Sequence, residues 1–304
     1  LREYPASVGT PNRDAACPRG PLTSRSTQAG RLNFHYSART DASIDLPCCS
    51  MSAVKRLVIA DAHVGQRAGD VADMVTMLCK ARESGVTEII YLGDGFQYLI
   101  GMSKFWTAGV VDVVRTWREL RRGGVTIGVI EGNRDFFLDA PELAAEIDWS
   151  GLEFEFRSAG RRFRLVHGDK VNLRDLQYRF WSRLSKSAPA RVWARLLPRT
   201  VAVGIVRTME ARLAETNRRF RYVKPLASLE RAARDAWVEG IDVLLWGHFH
   251  TFWQFRRDDR FAIILPAWLD SGLAALIDDD GEAWVVEKNL TPCGSLFRMG
   301  GWTG

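Results

Sequence analysis

The chain has 304 residues, of which 46% are hydrophobic, 11% aromatic and 26% charged, and its formal charge is +6. This is enough apolar material for one sizeable core, or two small ones, and it excludes a disordered or collagen-like protein. The longest uncharged apolar stretch, residues 261–269, is nine residues long, short of the roughly 18 that a bilayer-spanning helix needs. The five cysteines, Cys17, Cys48, Cys49, Cys79 and Cys293, include no Cys-x-x-Cys pair. They suggest neither a disulfide framework nor a thiolate zinc site, and a reducing, cytoplasmic setting is expected.

Residues 1–50 cluster Pro, Gly, Ser, Thr and Arg without apolar periodicity and read as a disordered N-terminal extension. Four acids and the lack of an apolar run argue against a targeting peptide there. The domain is expected over 51–304, starting naturally at Met51, and removal of residues 1–50 is expected to leave activity intact. From Val54 onward, β-rich runs at 56–60, 88–92, 125–130, 162–166 and 241–246 alternate with helical patterns near 68–84, 108–122 and 226–239. Further runs at 262–265, 273–277 and 283–286 crowd the C-terminal end. The alternation predicts an α/β layered domain, and the strand-rich end predicts a second sheet or an antiparallel edge.

One segment breaks this rhythm. Between Val171 and Pro225 there are 13 Lys or Arg and three acids, a local +10 that leaves the rest of the chain at −4. Leu173, Leu176, Phe180 and Leu184, then Val206, Met209 and Leu213, recur at helical spacing. Residues 172–225 therefore read as an inserted helical subdomain with apolar and basic faces. Its field would attract an anionic partner such as nucleic acid, an acidic lipid surface or a phosphorylated substrate, the alternative being a solvated helix face.

Metal-capable side chains stand at the carboxyl ends of the predicted strands: Asp61-Ala62-His63, Gly93-Asp94, Gly132-Asn133, His167-Gly168-Asp169 and Gly247-His248-Phe249-His250. In open α/β sheets ligands bind outside those ends, so the five groups can converge. Four of the five histidines in the chain lie in these motifs. Imidazole mixed with carboxylate suits Mn²⁺, Fe²⁺ or Zn²⁺, and seven candidate ligands are too many for one tetrahedral ion. Two ions sharing a carboxylate are the economical arrangement, and with every position filled by a competent residue a metal-free binding scaffold is set aside.

Asp-x-His, Gly-Asp, Gly-Asn-Arg-Asp, His-Gly-Asp and Gly-His-x-His, in this order across residues 55 to about 255, resemble the motifs of the calcineurin-like metallophosphoesterases. The resemblance implies a four-layer α/β/β/α sandwich and two divalent metal ions, with Mn²⁺ expected. It implies that Asp61, His63, Asp94 and His250 hold one ion and that Asp94, Asn133, His167 and His248 hold the other, Asp94 bridging. Asp169 is a candidate to orient a ligand, or a turn carboxylate. Many family members carry His after Gly-Asn; here Arg134 stands in its place and cannot act as an acid. A phosphate-monoester leaving group needs little protonation, and Arg clamps its oxygens well. Pyrophosphate cleavage is thus expected over phosphomonoester hydrolysis, with Asn133, Arg134 and Asp94 as catalytic residues.

Gly132-Asn133-Arg134-Asp135-Phe136, with an insertion directly after His167-Gly168-Asp169, is similar to the UDP-2,3-diacylglucosamine pyrophosphatase branch of that family. That likeness implies metal-dependent hydrolysis to UMP and 2,3-diacylglucosamine 1-phosphate in lipid A biosynthesis, with residues 172–225 as a lid over the acyl chains. It implies substrate contacts from Arg134, Asp175, Tyr178, Asn217 and His248. Gly95-Phe96-Gln97 departs from the branch's apolar-Phe-acid sequence, and Leu213 and Phe220 from an expected serine and lysine. The expected partner is a nucleotide-linked glycolipid, reached through transient contact with the inner face of the membrane, rather than nucleic acid. A phosphodiesterase of the same superfamily acting on another nucleotide or nucleic acid is the alternative.

Overall fold

The structure, a computed structural model, describes residues 54–171, 184–216 and 224–297, all within one unit, Ala53–Gly304. The expectations for residues 1–50, and for Asp175, Tyr178 and Asn217, fall outside the described residues.

Two sheets form the centre. The larger joins β1 (Arg56–Ile59), β2 (Glu88–Leu92), β4 (Thr126–Ile130) and β6 (Trp149–Gly151) in parallel, and continues antiparallel beyond β1 through β12 (Ala274–Ile277), β13 (Ala283–Val286) and β14 (Pro292–Ser295). The second runs β10 (Trp253–Arg257), β11 (Arg260–Ile264), β9 (Val243–Trp246), β8 (Arg161–Val166), β7 (Glu153–Ser158). Both expectations for the C-terminal end are met, an antiparallel edge and a second sheet. The central strands β1, β2 and β9 are buried at every residue, as parallel strands covered on both faces must be. The short β7–β8 hairpin turns at Ala159 and Gly160, both at positive φ, the geometry that matches strand twist.

Helices cover the outer faces. α1 (Asp70–Glu83) buries Met74, Met77, Leu78 and Ala81, and α2 (Ala108–Arg122) buries Val110, Val113, Val114, Trp117 and Leu120. Both stripes have helical spacing and pack on the larger sheet. α6 (Leu226–Val238) lays Leu229, Ala233, Ala236 and Trp237 on the second sheet. A third apolar cluster, including Val58, Ile90, Phe163, Leu165 and Leu245, fills the space between the sheets. The order α, β, β, α is therefore the four-layer sandwich expected of the metallophosphoesterase fold.

Within the described part of the 172–225 insertion, α4 (Ala188–Leu196) and α5 (Arg199–Thr216) form a helical pair. Ser187 caps α4 by accepting the Ala190 N–H. Ala194, Ala202 and Val206 are buried against Tyr98, Met102, Phe105 and Phe137. Lys104 donates to the carbonyls of Arg195 and Leu197 at 2.7 and 2.9 Å, satisfying orphan acceptors at the end of α4. Arg191 makes two bonds to Asp139 at 2.7 and 2.6 Å. Two short elements complete the chain, α3 (Pro141–Ala144) and α7 (Trp268–Ser271). β3 (Leu99–Ile100) and β5 (Asp135–Phe136) pair in parallel and draw together the loops that follow β2 and β4.

Candidate metal centre

The loops beyond β1 and β2 run side by side: His63 N–H donates to the Asp94 carbonyl at 2.9 Å and Val64 N–H to that of Gly95 at 3.1 Å. Beyond the β3–β5 pair, Leu99 N–H reaches the Arg134 carbonyl at 3.1 Å. In the second sheet, Gly247 N–H bonds the His167 carbonyl at 3.0 Å. Each motif is thereby fixed to its neighbour by main chain before any side chain is considered. Asp61, His63, Asp94, His248 and His250 all take positive φ, a left-handed backbone that L-residues adopt at some cost and that clusters at functional sites.

The side chains converge. Asp61, His63 and His250 bring ligand atoms within 4.8 Å of one another, and so do Asp61, Asp94 and His167; all five are buried. Nε2 of His63 and Nε2 of His250 are 3.2 Å apart, with the rings stacked. Asp94 faces both sets: its Oδ2 is 3.9 Å from His63 Nε2, and its Oδ1 is 3.7 Å from His167 Nε2. Asn133 Oδ1 lies 3.2 Å from His167 Nε2 and 3.1 Å from His248 Nδ1. Asp61 Oδ2 accepts the His248 N–H at 2.7 Å, while its Oδ1 is buried without a hydrogen-bond partner. All seven expected ligand positions are thus gathered in one place. Asp61 joins both groups in this geometry, as Asp94 was expected to do.

The electrostatics are those of a cation site. Burial works to lower the His167 imidazole, but the carboxylates of Asp94, Asp61 and Asp169 outweigh it and hold it at about 9. Burial, reinforced by His167, pushes His248 down to about 4. Burial raises the Asp61 carboxyl against the pull of His250 and His167. A proton on His167 is what stands between the two aspartates, and a divalent cation is better suited to the place. An orphaned carboxylate oxygen, two imidazole nitrogens facing each other and a carboxylate spanning both sets all fit a metal ligand set.

Neighbouring groups aim the ligands. His167 Nδ1 bonds the Leu92 carbonyl at 2.9 Å, which turns Nε2 toward the centre. Gly93, at φ +78, has no room for a Cβ, which would lie 2.2 Å from His167 Nδ1. A Cβ on Gly132 would lie 2.3 Å from Asp94 Oδ1. Arg134 is buried; its N–H donates to Asp94 Oδ1 at 2.9 Å, and its guanidinium donates to Gln97 Oε1 at 2.9 Å.

Four contributors were not anticipated from sequence. Asp270, at the end of α7, sits 3.0 Å from His250 Nδ1, because Trp268 N–H and Leu269 N–H bond the carbonyls of Ala60 and Asp61 and pin that turn beside β1. Asp135 accepts the N–H groups of Asp94 and Gly132 at 2.9 and 2.8 Å and is raised to about 7 by burial, then by the charge of Asp94. Lys186 bonds Glu131 Oε1 at 2.6 Å and the Gly132 carbonyl at 2.8 Å. Gln97 is the fourth. Asp135 and Gln97 lie inside motifs already noticed; Asp270 and Lys186 carry no local signal.

The sequence matches no family model. It is 27% identical over 236 residues to UDP-2,3-diacylglucosamine hydrolase of Pseudomonas putida, spanning 74% of this chain and 95% of the relative. The enzyme of the same name from Azotobacter vinelandii is 27% identical over 234 residues, again 74% of this chain and 95% of the relative. Among solved structures, YfcE, a phosphoesterase from E. coli, is similar with a TM-score of 0.40 and 16% identity, over 80% of this chain and 98% of that one. The chain therefore resembles UDP-2,3-diacylglucosamine hydrolases over about three quarters of its length.

Proposed function

We propose that this chain is a metal-dependent hydrolase that cleaves the pyrophosphate of UDP-2,3-diacylglucosamine to UMP and 2,3-diacylglucosamine 1-phosphate. The observation that carries the reading is the convergence of Asp61, His63, Asp94, His167 and His250 at the strand ends. The likeness to hydrolases of that name supports the substrate.

Asp61, His63, Asp94 and His250 would hold one divalent cation, and Asp94, Asn133, His167 and His248 a second, with Mn²⁺ the expected metal. Such cations, when bound, supply charge for the phosphoryl oxygens and activate a water at neutral pH. The chain's own residues do the rest. Arg134 offers a guanidinium cation beside the carboxylates, and Gln97 steers it without neutralising it. Whichever arm departs does so as a phosphate monoester, with a second pKa of about 6, so charge pairing by Arg134 would replace general-acid help.

The insertion supplies the apolar side. On α4, Val192, Trp193 and Leu196 face solvent, Leu196 at 78% exposure, amid Arg191, Arg195 and Arg199. Apolar walls beside cations suit acyl chains bearing a phosphate, and suit transient contact with an anionic membrane face. Among the described residues no helix is long and apolar enough to cross a membrane. The test is UMP release from the diacylated substrate by the Mn²⁺-loaded protein. Replacing Arg134 by Ala should depress kcat at least tenfold with bound metal unchanged; loss of metal instead would contradict the clamp.

A further inference from the structure

A cavity of about 900 Å³ opens beside the metal centre, its wall shared with the centre through His250 and Asp270. It lies among the residues before β12 and after β13. In the larger sheet β12 flanks β1 on one side, while β2 and β4 lie on the other. The insertion touches the opposite end of the centre, where Lys186 bonds Glu131 and Gly132 beyond β4. From β12 to β4 is three strand spacings, roughly 14 Å. The centre is thus flanked by lid helices on one side and a cavity on the other, as a pyrophosphate with two dissimilar arms requires.

The chemistry of the cavity selects the arm. Its exposed surface is mainly apolar, with Phe252, Ala267 and Leu273 contributing to it, and besides His250 and Asp270 its polar side chains are Thr251, Ser271, Glu287, Lys288 and Asn289. Thr251 Oγ1 is buried without a hydrogen-bond partner. Asn289 Oδ1 is held by the Thr291 N–H at 3.0 Å, which leaves the carboxamide NH₂ as the donating end. Lys288 does not serve a phosphate here, because its ammonium is bonded to Asp73 and lies over the Trp268 ring. The Glu287 carboxylate would repel an anion and accept hydroxyl donors, whereas both Asp270 oxygens are already engaged, Oδ1 by Arg67 and Oδ2 by His250. Polar groups set in apolar walls also disfavour an alkyl tail, since each would lose water without gaining a partner. What remains is a neutral, flat, hydroxylated group, and the volume is within the usual range for such sites, roughly 300–1,000 Å³.

We infer that this cavity receives the nucleoside of the substrate, with its base against the apolar wall near Phe252 and its ribose hydroxyls toward Glu287 and Asn289. The inference rests on the proposed nucleotide-linked substrate and adds where that nucleotide sits. The experiment is calorimetric binding of UMP, with inorganic phosphate as the probe of the centre alone, to the Mn²⁺-loaded full chain and to its Phe252→Ala and Asn289→Ala variants. The wild type should prefer UMP to phosphate by at least tenfold, and each variant should lose most of that ratio. Equal affinity for UMP and phosphate in the wild type, or a ratio unchanged in both variants, would overturn the inference. So would variants that weaken 2,3-diacylglucosamine 1-phosphate rather than UMP. The outcome is independent of turnover: a wild type that binds UMP in this way but leaves the diacylated substrate intact would refute the lipid assignment and keep the nucleoside site.

Discussion

At the scale of single residues, the centre is a problem of crowded charge solved by hydrogen bonding. Asp61, Asp94 and His167 are held together by main-chain geometry that leaves them little freedom to separate. With His167 held at about 9 and His248 pushed down to about 4, at pH 7 and without metal His167 carries a proton and His248 is neutral. A ligand imidazole must give up its proton, so metal loading at pH 7 should release the His167 proton, a release that falls away above pH 9. Calorimetry in buffers of different ionisation enthalpy measures it, and no release at pH 7 would contradict the arrangement. Asp270 offers a second test. It orients His250 through Nδ1, and loss of such a partner typically weakens metal affinity 10- to 100-fold. Asp270→Ala should do so, with Asp270→Asn, which keeps an acceptor oxygen, milder. An unchanged dissociation constant in the Ala variant would make Asp270 only a surface partner of Arg67.

At the scale of elements, legibility followed burial pattern. β1, β2 and β9 were readable because strands covered on both faces leave unbroken apolar runs, and α1, α2 and α6 because their stripes repeat at helical spacing. β7 was missed although Glu153-Phe154-Glu155-Phe156 alternates, since half its residues are charged and its partner β8 is arginine-rich. β3 and β5 have two residues each and take their form from tertiary pairing alone. The same reasoning separates the two faces of the insertion. Ala194, Ala202 and Val206 are the anchoring face, whereas Trp193, at 58% exposure, and Leu196 pack on little. A Trp193→Ser/Leu196→Ser double variant should therefore shift stability by less than about 1 kcal/mol while raising KM for a diacylated substrate several-fold. A large fall in Tm with KM unchanged would mark those side chains as packing, not lid.

At the scale of the molecule, the sandwich packs two sheets face to face so that loops from β1, β2 and β4 meet loops from β8 and β9. That convergence was legible in the five polar motifs placed after apolar runs, because ligands gather at the carboxyl ends of such sheets. Asp270 was not legible, since 20 residues separate it from His250 and only the fold of the antiparallel edge returns it to the centre. The uneven charge fits the same design. On the proposed function, the cations concentrated between Val171 and Pro225 would draw an anionic glycolipid, or an anionic surface that presents it, toward a centre whose own carboxylates would need metal to tolerate phosphate.

The most direct measurement is UMP release from UDP-2,3-diacylglucosamine by the purified chain, with and without Mn²⁺, beside UDP-glucose as a diphosphate that lacks acyl chains. The account predicts metal-dependent UMP from the acylated substrate and at least a hundredfold less from UDP-glucose. Release from neither, with metal-dependent cleavage of a generic phosphodiester, would leave the centre standing and contradict the assignment of its substrate.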